Sequence, residues 1–425
     1  MTDLTERQLP RALTPFRGAA YRRLAIALVF TTFASGLWAV ALVWEVVRIG
    51  GGASQLSVVA TSTALGVILP ALLAGVAADR IPQKRILLTV AGIELACMAT
   101  AATLSLSGVT ALWMLAVIGF VNGSALAFYY PAYTAWLPAL VDERDLMAVN
   151  GFEGVVRPTI GQAIGPAVAG AAVAAASPGF AVSLAAGSVL LGLLALVAVP
   201  ETPLRRQLDD HHALHPIRSA ATDMREGFGY MVRTPWLLAT LLFASLMVLV
   251  VIGPLEVLLP FLIKDRLGGG PREHAWVLAA FGLGGAAGSL VMASLRMPRR
   301  YLTWMNLMWG VGTVPLAVIG YAGQLWVVVG GAFVLGACFS APTVIWGTLL
   351  QRRVPPPLMG RVSSLDFFVS ISLMPVSMAV AGPVSDVIGL RPTFLIAGLV
   401  PTVLAVVAIL WARLPADELA HPLRD

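Results

Sequence analysis

The sequence predicts an all-α membrane protein of twelve transmembrane helices, arranged as two pseudo-symmetric six-helix bundles. Three observations predict it. Twelve apolar stretches, each long enough to span a bilayer, fill most of the 425 residues. Hydrophobic residues make up 58% of the chain and charged ones only 12%, too little polar surface to cover a water-soluble globule. The second half of the chain repeats the first at an offset of about 211 to 216 residues.

A hydrocarbon core of ~30 Å takes about 20 apolar residues as helix, and a transmembrane strand only about 10, so runs of this length are helices. A polar, basic tail covers 1–23. Six spans follow, near 24–48, 55–78, 85–107, 110–137, 146–175 and 179–199, and form the first bundle. Residues 200–234 are the one long polar stretch between spans. They read as a linker, with an amphipathic surface helix over 221–233. The tract His211, His212 and His215 has a composition that also suits metal, but a solvated linker is the expected reading. Spans near 235–263, 275–296, 301–321, 325–350, 362–387 and 391–413 form the second bundle, and 414–425 is a tail. No histidine falls inside a span so drawn. Cys97 and Cys338 sit mid-span and read as small buried residues, not as a disulfide or metal ligands. No cleavable leader is visible, because the first apolar run is a full span.

The net charge of +6 is topology rather than a nucleic-acid surface. Of the lysines and arginines, 22 fall before span 1, after the even-numbered spans, or at the end of the chain, while 5 fall on the opposite side. The positive-inside bias then places both termini in the cytoplasm of a multi-pass cell-membrane protein.

The repeat is visible in short segments. Ala167-Val-Ala-Gly170 returns as Ala379-Val-Ala-Gly382, and Arg80-Ile-Pro82 as Arg296-Met-Pro298. Halves of six spans that share an orientation are a transporter design, with the substrate site at their interface.

The loop after span 2 runs Gly75-Val-Ala-Ala-Asp79-Arg80-Ile-Pro-Gln-Lys84-Arg85. It resembles the major facilitator superfamily signature G-x-x-x-D-R-x-G-R-R, with Pro82 in place of the second glycine. The resemblance covers residues 20 to 414, and locally it is to the drug and siderophore exporter branch, supported by Leu137-Pro-Ala-Leu-Val141 and Gly360-Arg361-Val. It implies proton-coupled efflux of small hydrophobic or amphipathic compounds by alternating access, with protons and a small molecule as partners and no cofactor. A monomer in the bilayer is expected. A lipid or lysolipid translocator of the same fold and a non-transporting sensor remain alternatives. No phosphate-binding G-x-x-x-x-G-K-[ST] loop and no Ser-His or metal-ligand cluster supports an enzyme.

Ionisable residues inside spans cost ~2.5–3.5 kcal/mol at mid-helix, so each needs a reason. Glu45 and Glu256 stand one repeat offset apart on the first helix of each half. If they face a shared cavity they are proton-coupling candidates; if they sit at the outer interface, Arg48 or Lys264 neutralises them. Glu94 is a secondary candidate. Glu153 and Arg157 have the favourable i, i+4 order. With Asp79, Arg80, Arg85, Asp142 and Asp366 they make a candidate cytoplasmic latch, Asp79 facing the dipole of span 11. The arginine that many proton-coupled members carry in helix 4 is missing from Leu115-Ala-Val-Ile-Gly119-Phe-Val-Asn122.

In the family, helices 1, 4, 7 and 10 line the cavity. That makes Phe33, Trp38, Asn122, Phe128, Tyr129, Phe339 and Trp346 candidate cavity residues, an aromatic wall suited to amphipathic molecules. Gly161, Gly165 and Pro166 on span 5 resemble the family's antiporter motif. With Gly284 and Gly288 on span 8 they are expected to form a close seam between the bundles.

Overall fold

The computed structural model describes residues 11–142, 145–202, 216–355 and 358–423, and its regular structure is helical throughout. A 3₁₀ turn, Arg11–Arg17, leads into α1 (Ala19–Arg48), α2 (Ala53–Arg80), α3 (Gln83–Ser107) and α4 (Leu112–Leu140). α5 is three consecutive pieces, Leu146–Val156, Arg157–Ile164 and Gly165–Ala175, and α6 is Pro178–Val197. The linker helix α7 (Pro216–Arg233) leads to α8 (Pro235–Arg266), α9 (Pro271–Ser294) and α10 (Tyr301–Val311 with Val314–Tyr321). α11 (Leu325–Arg353), α12 (Met359–Ile371 with Met374–Ile388), α13 (Leu390–Trp411) and a short α14 (Leu414–Ala420) complete the chain. Helices α1–α6 and α8–α13 are the twelve expected spans. Among the described residues, eleven are long and apolar enough to cross a bilayer. The one outside that count is α5, which carries Glu153 and Arg157 and has a widened middle.

Prolines set the breaks. A proline lacks the N–H and crowds the preceding turn, so the ladder widens or interrupts around it. In α5, Pro158 and Pro166 bracket a stretch of i→i+5 bonding that ends with the Gly165 N–H on the Ile160 carbonyl. In α8, Pro254 opens a similar turn, closed by the Leu259 N–H on the Pro254 carbonyl. α10 breaks before Pro315, where the Thr313 hydroxyl lies 2.8 Å from the Gly310 carbonyl and 3.0 Å from that of Gly398.

The expectation of no histidine in a span is corrected. α9 starts at Pro271, because proline is preorganised for a first helical position and Glu273 accepts the Gly270 N–H at 2.7 Å. His274 therefore lies in its first turn and is buried.

Each half packs by the same plan. The closest helix pairs are α2 with α4 and α9 with α11. Gly66, Gly119 and Gly123 make the first seam; Gly284, Gly288 and Gly336 make the second. Small residues let backbones approach in lipid, where no hydrophobic drive joins helices. The expected roles of five residues are corrected accordingly. Gly284 and Gly288 face Phe333 and Ala337 of α11, inside their own half. Gly161, Gly165 and Pro166 face Thr32 and Gly36 of α1, again inside their own half. They are smooth faces, but for the nearest partner within the bundle.

The halves meet along two related seams, α2 against α12 and α5 against α9. The repeated Ala-Val-Ala-Gly segments supply both. A methyl on Gly170 would lie 2.6 Å from the Pro271 carbonyl oxygen of α9. One on Gly382 would lie 2.6 Å from Ser54 Cα of α2. The Gly382 N–H donates to the Ser57 hydroxyl at 2.9 Å, and the Ser54 hydroxyl donates to Asp386 at 2.5 Å. All of these lie at the end of the bundle away from the arginine-rich loops. At the arginine-rich end, Gly151 and Gly154 of α5 and Gly347 of α11 face open space. The first piece of α5 packs instead on the chain start, Phe152 edge-on to Phe16 with ring centroids 5.0 Å apart. The halves thus close on each other at one end, and at the other, the parted end, these three glycines have open space beside them.

Candidate functional site

α8 is the most enclosed of the spans, so its few open positions mark where it meets free space rather than a neighbour. Its flanks are tied to α12: the Ser245 hydroxyl donates to the Val369 carbonyl at 2.6 Å and the Gly253 N–H to the Ser377 hydroxyl at 2.8 Å. One stripe stays open, Leu242, Leu246, Leu249, Ile252 and Glu256 at helical spacing. It is an apolar wall ending in one carboxylate. On α1 the corresponding open positions are Ser35 and Ala39.

Glu45 and Glu256 do not share this space. Glu45 is buried and bound from both sides. Arg48 grips it with Nη2 at 2.7 Å and Nε at 2.9 Å, and the Ser105 hydroxyl of α3 donates at 2.8 Å. Glu256 is exposed on α8. The sequence offset equates them, but Glu45 turns to Ser105 of α3 while Glu256 continues the open stripe of α8.

Glu94 of α3 is 2% exposed and has no cationic partner among the described residues. It borders a cavity of about 10 Å³, room for a single water, together with Thr31, Tyr129 and Gly192. Tyr129 therefore lines the interior of the first bundle and stacks on Tyr133, rings 5.7 Å apart and nearly parallel. Arg157 lies over the rings of Tyr133 and Tyr130 and pairs with Glu153 at 3.3 Å. The hydroxyls of Tyr21 and Tyr133 and Oε1 of Glu153 are buried outside good hydrogen-bond geometry, with Tyr133 and Glu153 beside each other. Orphaned polar atoms are rare in folded interiors. Here they continue from Glu94 toward the parted end. In the sequence Tyr129 reads as a cavity residue, and nothing in the spacing of these tyrosines signals a link to two acids.

The aromatic candidates separate. Trp346 is inside the second bundle, edge-on to Trp236 and Trp309 at 6.1 and 6.5 Å. Its place in a cavity wall is corrected, because its indole N–H must find a partner and does so on Asp366 at 3.0 Å. Phe339 is half-buried against Phe281. Trp38 and Asn122 are buried, the Asn122 Oδ1 without a partner; Phe33 and Phe128 are half-buried.

Of the latch residues, Glu153 and Arg157 pair within α5. Asp366 accepts from Trp346 and Ser370, both in its own half. Arg80, Arg85 and Asp142 are exposed, and the Asp79 side chain lies outside those described. No ion pair between described residues joins the halves. Lys84 instead donates to the Val197 carbonyl at 3.0 Å, and Arg23 to that of Ala198, where cations suit the C-terminus of α6.

Twelve helices in two like halves, parted at one end around an internal stripe, define a secondary transporter of the major facilitator fold. The chain belongs to the transmembrane secretion effector family of that superfamily, whose model matches residues 11–422. It is a multi-pass membrane protein of an efflux-transporter family, not an enzyme. It is 28% identical over 407 residues to the multidrug efflux pump Tap of Mycolicibacterium fortuitum, covering 91% of this chain and 94% of that one. It is 24% identical over 345 residues to macrolide efflux protein A of Streptococcus pyogenes, covering 78% and 81%. Among solved structures, the nucleoside transporter NupG superposes with a TM-score of 0.71 at 13% identity, over 92% of this chain and 98% of that one. This last likeness is one of fold.

Proposed function

We propose that this protein exports small amphipathic compounds by proton antiport, with both termini cytoplasmic and the parted end facing the cytoplasm. The observation that carries the reading is the open stripe of α8, an apolar wall with Glu256 at its outer end. Such a wall takes up an apolar body, and one carboxylate favours compounds that also bear a cation. The efflux relatives are consistent with drug-like cargo. The positive-inside asymmetry supports the orientation.

Coupling is assigned to Glu94. A lone carboxylate inside a bundle costs several kcal/mol as an ion. A proton bound there is held until the acid regains water or a base. The stacked tyrosines and Glu153 are the polar route from Glu94 to the parted end. Glu45 is a structural anchor, its charge already balanced by Arg48. Asp79 and its neighbours remain the proposed latch of the opposite, cytoplasm-closed state.

The test is uptake into inverted membrane vesicles with an imposed pH gradient, using a macrolide, a cationic dye and a lysolipid. The proposal expects gradient-dependent accumulation of the macrolide or the dye, lost with Glu94→Gln. Uptake of lysolipid alone would support the translocator reading instead.

A further inference from the structure

Beneath the second bundle, at the arginine-rich end, the chain builds a cavity of about 600 Å³. Its walls come from four elements far apart in sequence. The end of α7 gives Tyr230 and Arg233, the start of α8 gives Pro235 and Trp236, the end of α11 gives Arg352 and Arg353, and the tail gives Asp417 and His421.

The wall is a constructed one. α13 ends in a left-handed residue, Arg413 at φ +48°, that turns the chain back under the bundle. A non-glycine residue there is held against a steric cost, so the surrounding contacts must hold it. They do. Leu414 and Glu418 are buried. Glu418 accepts the N–H groups of Leu302 and Thr303 at 2.9 and 3.1 Å and so caps α10. The Tyr301 hydroxyl donates to the His421 carbonyl at 2.8 Å. The Arg353 side chain, 10% exposed, lies 4.6 Å over Trp236 and forks onto Asp417 at 2.5 and 3.2 Å.

That fork uses the one acid among the described lining residues. Arg233 and Arg352 remain exposed on the rim, and Arg233 has no ion-pair partner among the described residues. The start of α8 adds the partial positive charge of a long helix. Among the described residues that line it are three guanidinium groups and one carboxylate. Beside it α7 exposes Phe228 and Val232, and the cavity's own rim includes Pro422 and Leu423. Cationic depth next to apolar surface, at the level where the bilayer ends, suits an amphiphile whose head is a phosphate. Basic pockets on the cytoplasmic side of membrane proteins hold anionic lipid headgroups in this way.

We propose that this cavity binds the phosphate headgroup of an anionic phospholipid, with Arg233 and Arg352 as its contacts and Arg353 as the fixed post behind them. The site lies outside the space between the halves, so it stands or falls independently of the transport reading.

The test uses the purified full chain in detergent. Native mass spectrometry and thermal shift are read with added phosphatidylglycerol, phosphatidylcholine or inorganic phosphate. Phosphatidylglycerol should be retained and should raise Tm, while phosphatidylcholine should not. Arg233→Gln and Arg352→Gln should each weaken retention roughly fivefold, the equivalent of ~1 kcal/mol per arginine at a membrane surface, and together about 25-fold. Arg17→Gln with Arg296→Gln, exposed arginines elsewhere at this end, should leave retention unchanged. Equal retention of the two lipids would overturn the proposal. So would wild-type retention in the double rim variant, or an equal loss in the control. Stabilisation by inorganic phosphate as strong as by the lipid would replace the headgroup with a free anion. Neutralising exposed rim side chains leaves the Arg353–Asp417 fork intact, so Tm in phosphatidylcholine checks folding separately.

Discussion

Gly382→Ala should push the structure off its closed end. The added methyl would lie 2.6 Å from Ser54 Cα, 2.7 Å from Ser54 N and 2.8 Å from the Ala53 carbonyl carbon. All three are backbone atoms, so no side chain can swing aside. Carbon contacts settle at about 3.5–4.0 Å, and α2 must therefore move from α12 by roughly 1 Å. That move also stretches the Gly382 N–H bond to Ser57, now 2.9 Å. Overpacking of this kind costs ~1–3 kcal/mol. The cost falls only on the state in which this end is closed, so the ratio of the two states should shift by about 5- to 150-fold. The assay is a spin-label distance between Cys residues placed at Gln55 and Val387, in a background lacking Cys97 and Cys338. Both label positions are exposed beside the seam. The variant should gain a longer-distance population at little loss of Tm. A single unchanged distance, with unchanged Tm, would refute the reasoning that this contact holds the end shut.

Other substitutions separate anchors from working groups. Glu45→Gln should lower stability by about 1–2 kcal/mol, since a charged fork and a hydroxyl bond are weakened and Arg48 is part-exposed; Tm reads this, and the pH profile of transport in the folded fraction should not move. Glu418→Gln should cost ~0.5–2 kcal/mol by weakening the cap of α10, seen as a lower Tm and faster proteolysis of the tail. Cysteines at Ser107 and Arg300 should label from outside and inside respectively; the reverse would invert the orientation.

Most of the fold was legible because a bilayer leaves few options. Every backbone group must be satisfied within the helix, so apolar run length alone locates the spans. The misses were of two physical kinds. Register was one: Glu45 and Glu256 match by counting, yet each residue of register turns a helix face by about 100°, and the two end in different surroundings. Partner choice was the other. Gly161, Gly165, Gly284 and Gly288 do form smooth faces, yet a smooth face does not name its neighbour. The better signal was the repeated Ala-Val-Ala-Gly, whose two glycines both lie on the seams between halves. Trp346 shows the same limit for aromatics: its ring suits a cavity or a core, and the Asp366 carboxylate 3.0 Å from its N–H decides. The proposed latch would form in the opposite conformational state, and Asp366 here keeps to partners in its own half.

The central claim is that cargo and protons move in opposite directions through Glu94. Proteoliposomes containing a lumenal pH dye, with no imposed pH gradient, would receive an inward gradient of a transported macrolide or cationic dye. The account predicts that wild-type protein drives protons out as the compound enters, and that Glu94→Gln exchanges compound across the membrane with no proton movement. Compound entry without proton movement in the wild type, or wild-type proton movement in Glu94→Gln, would contradict it.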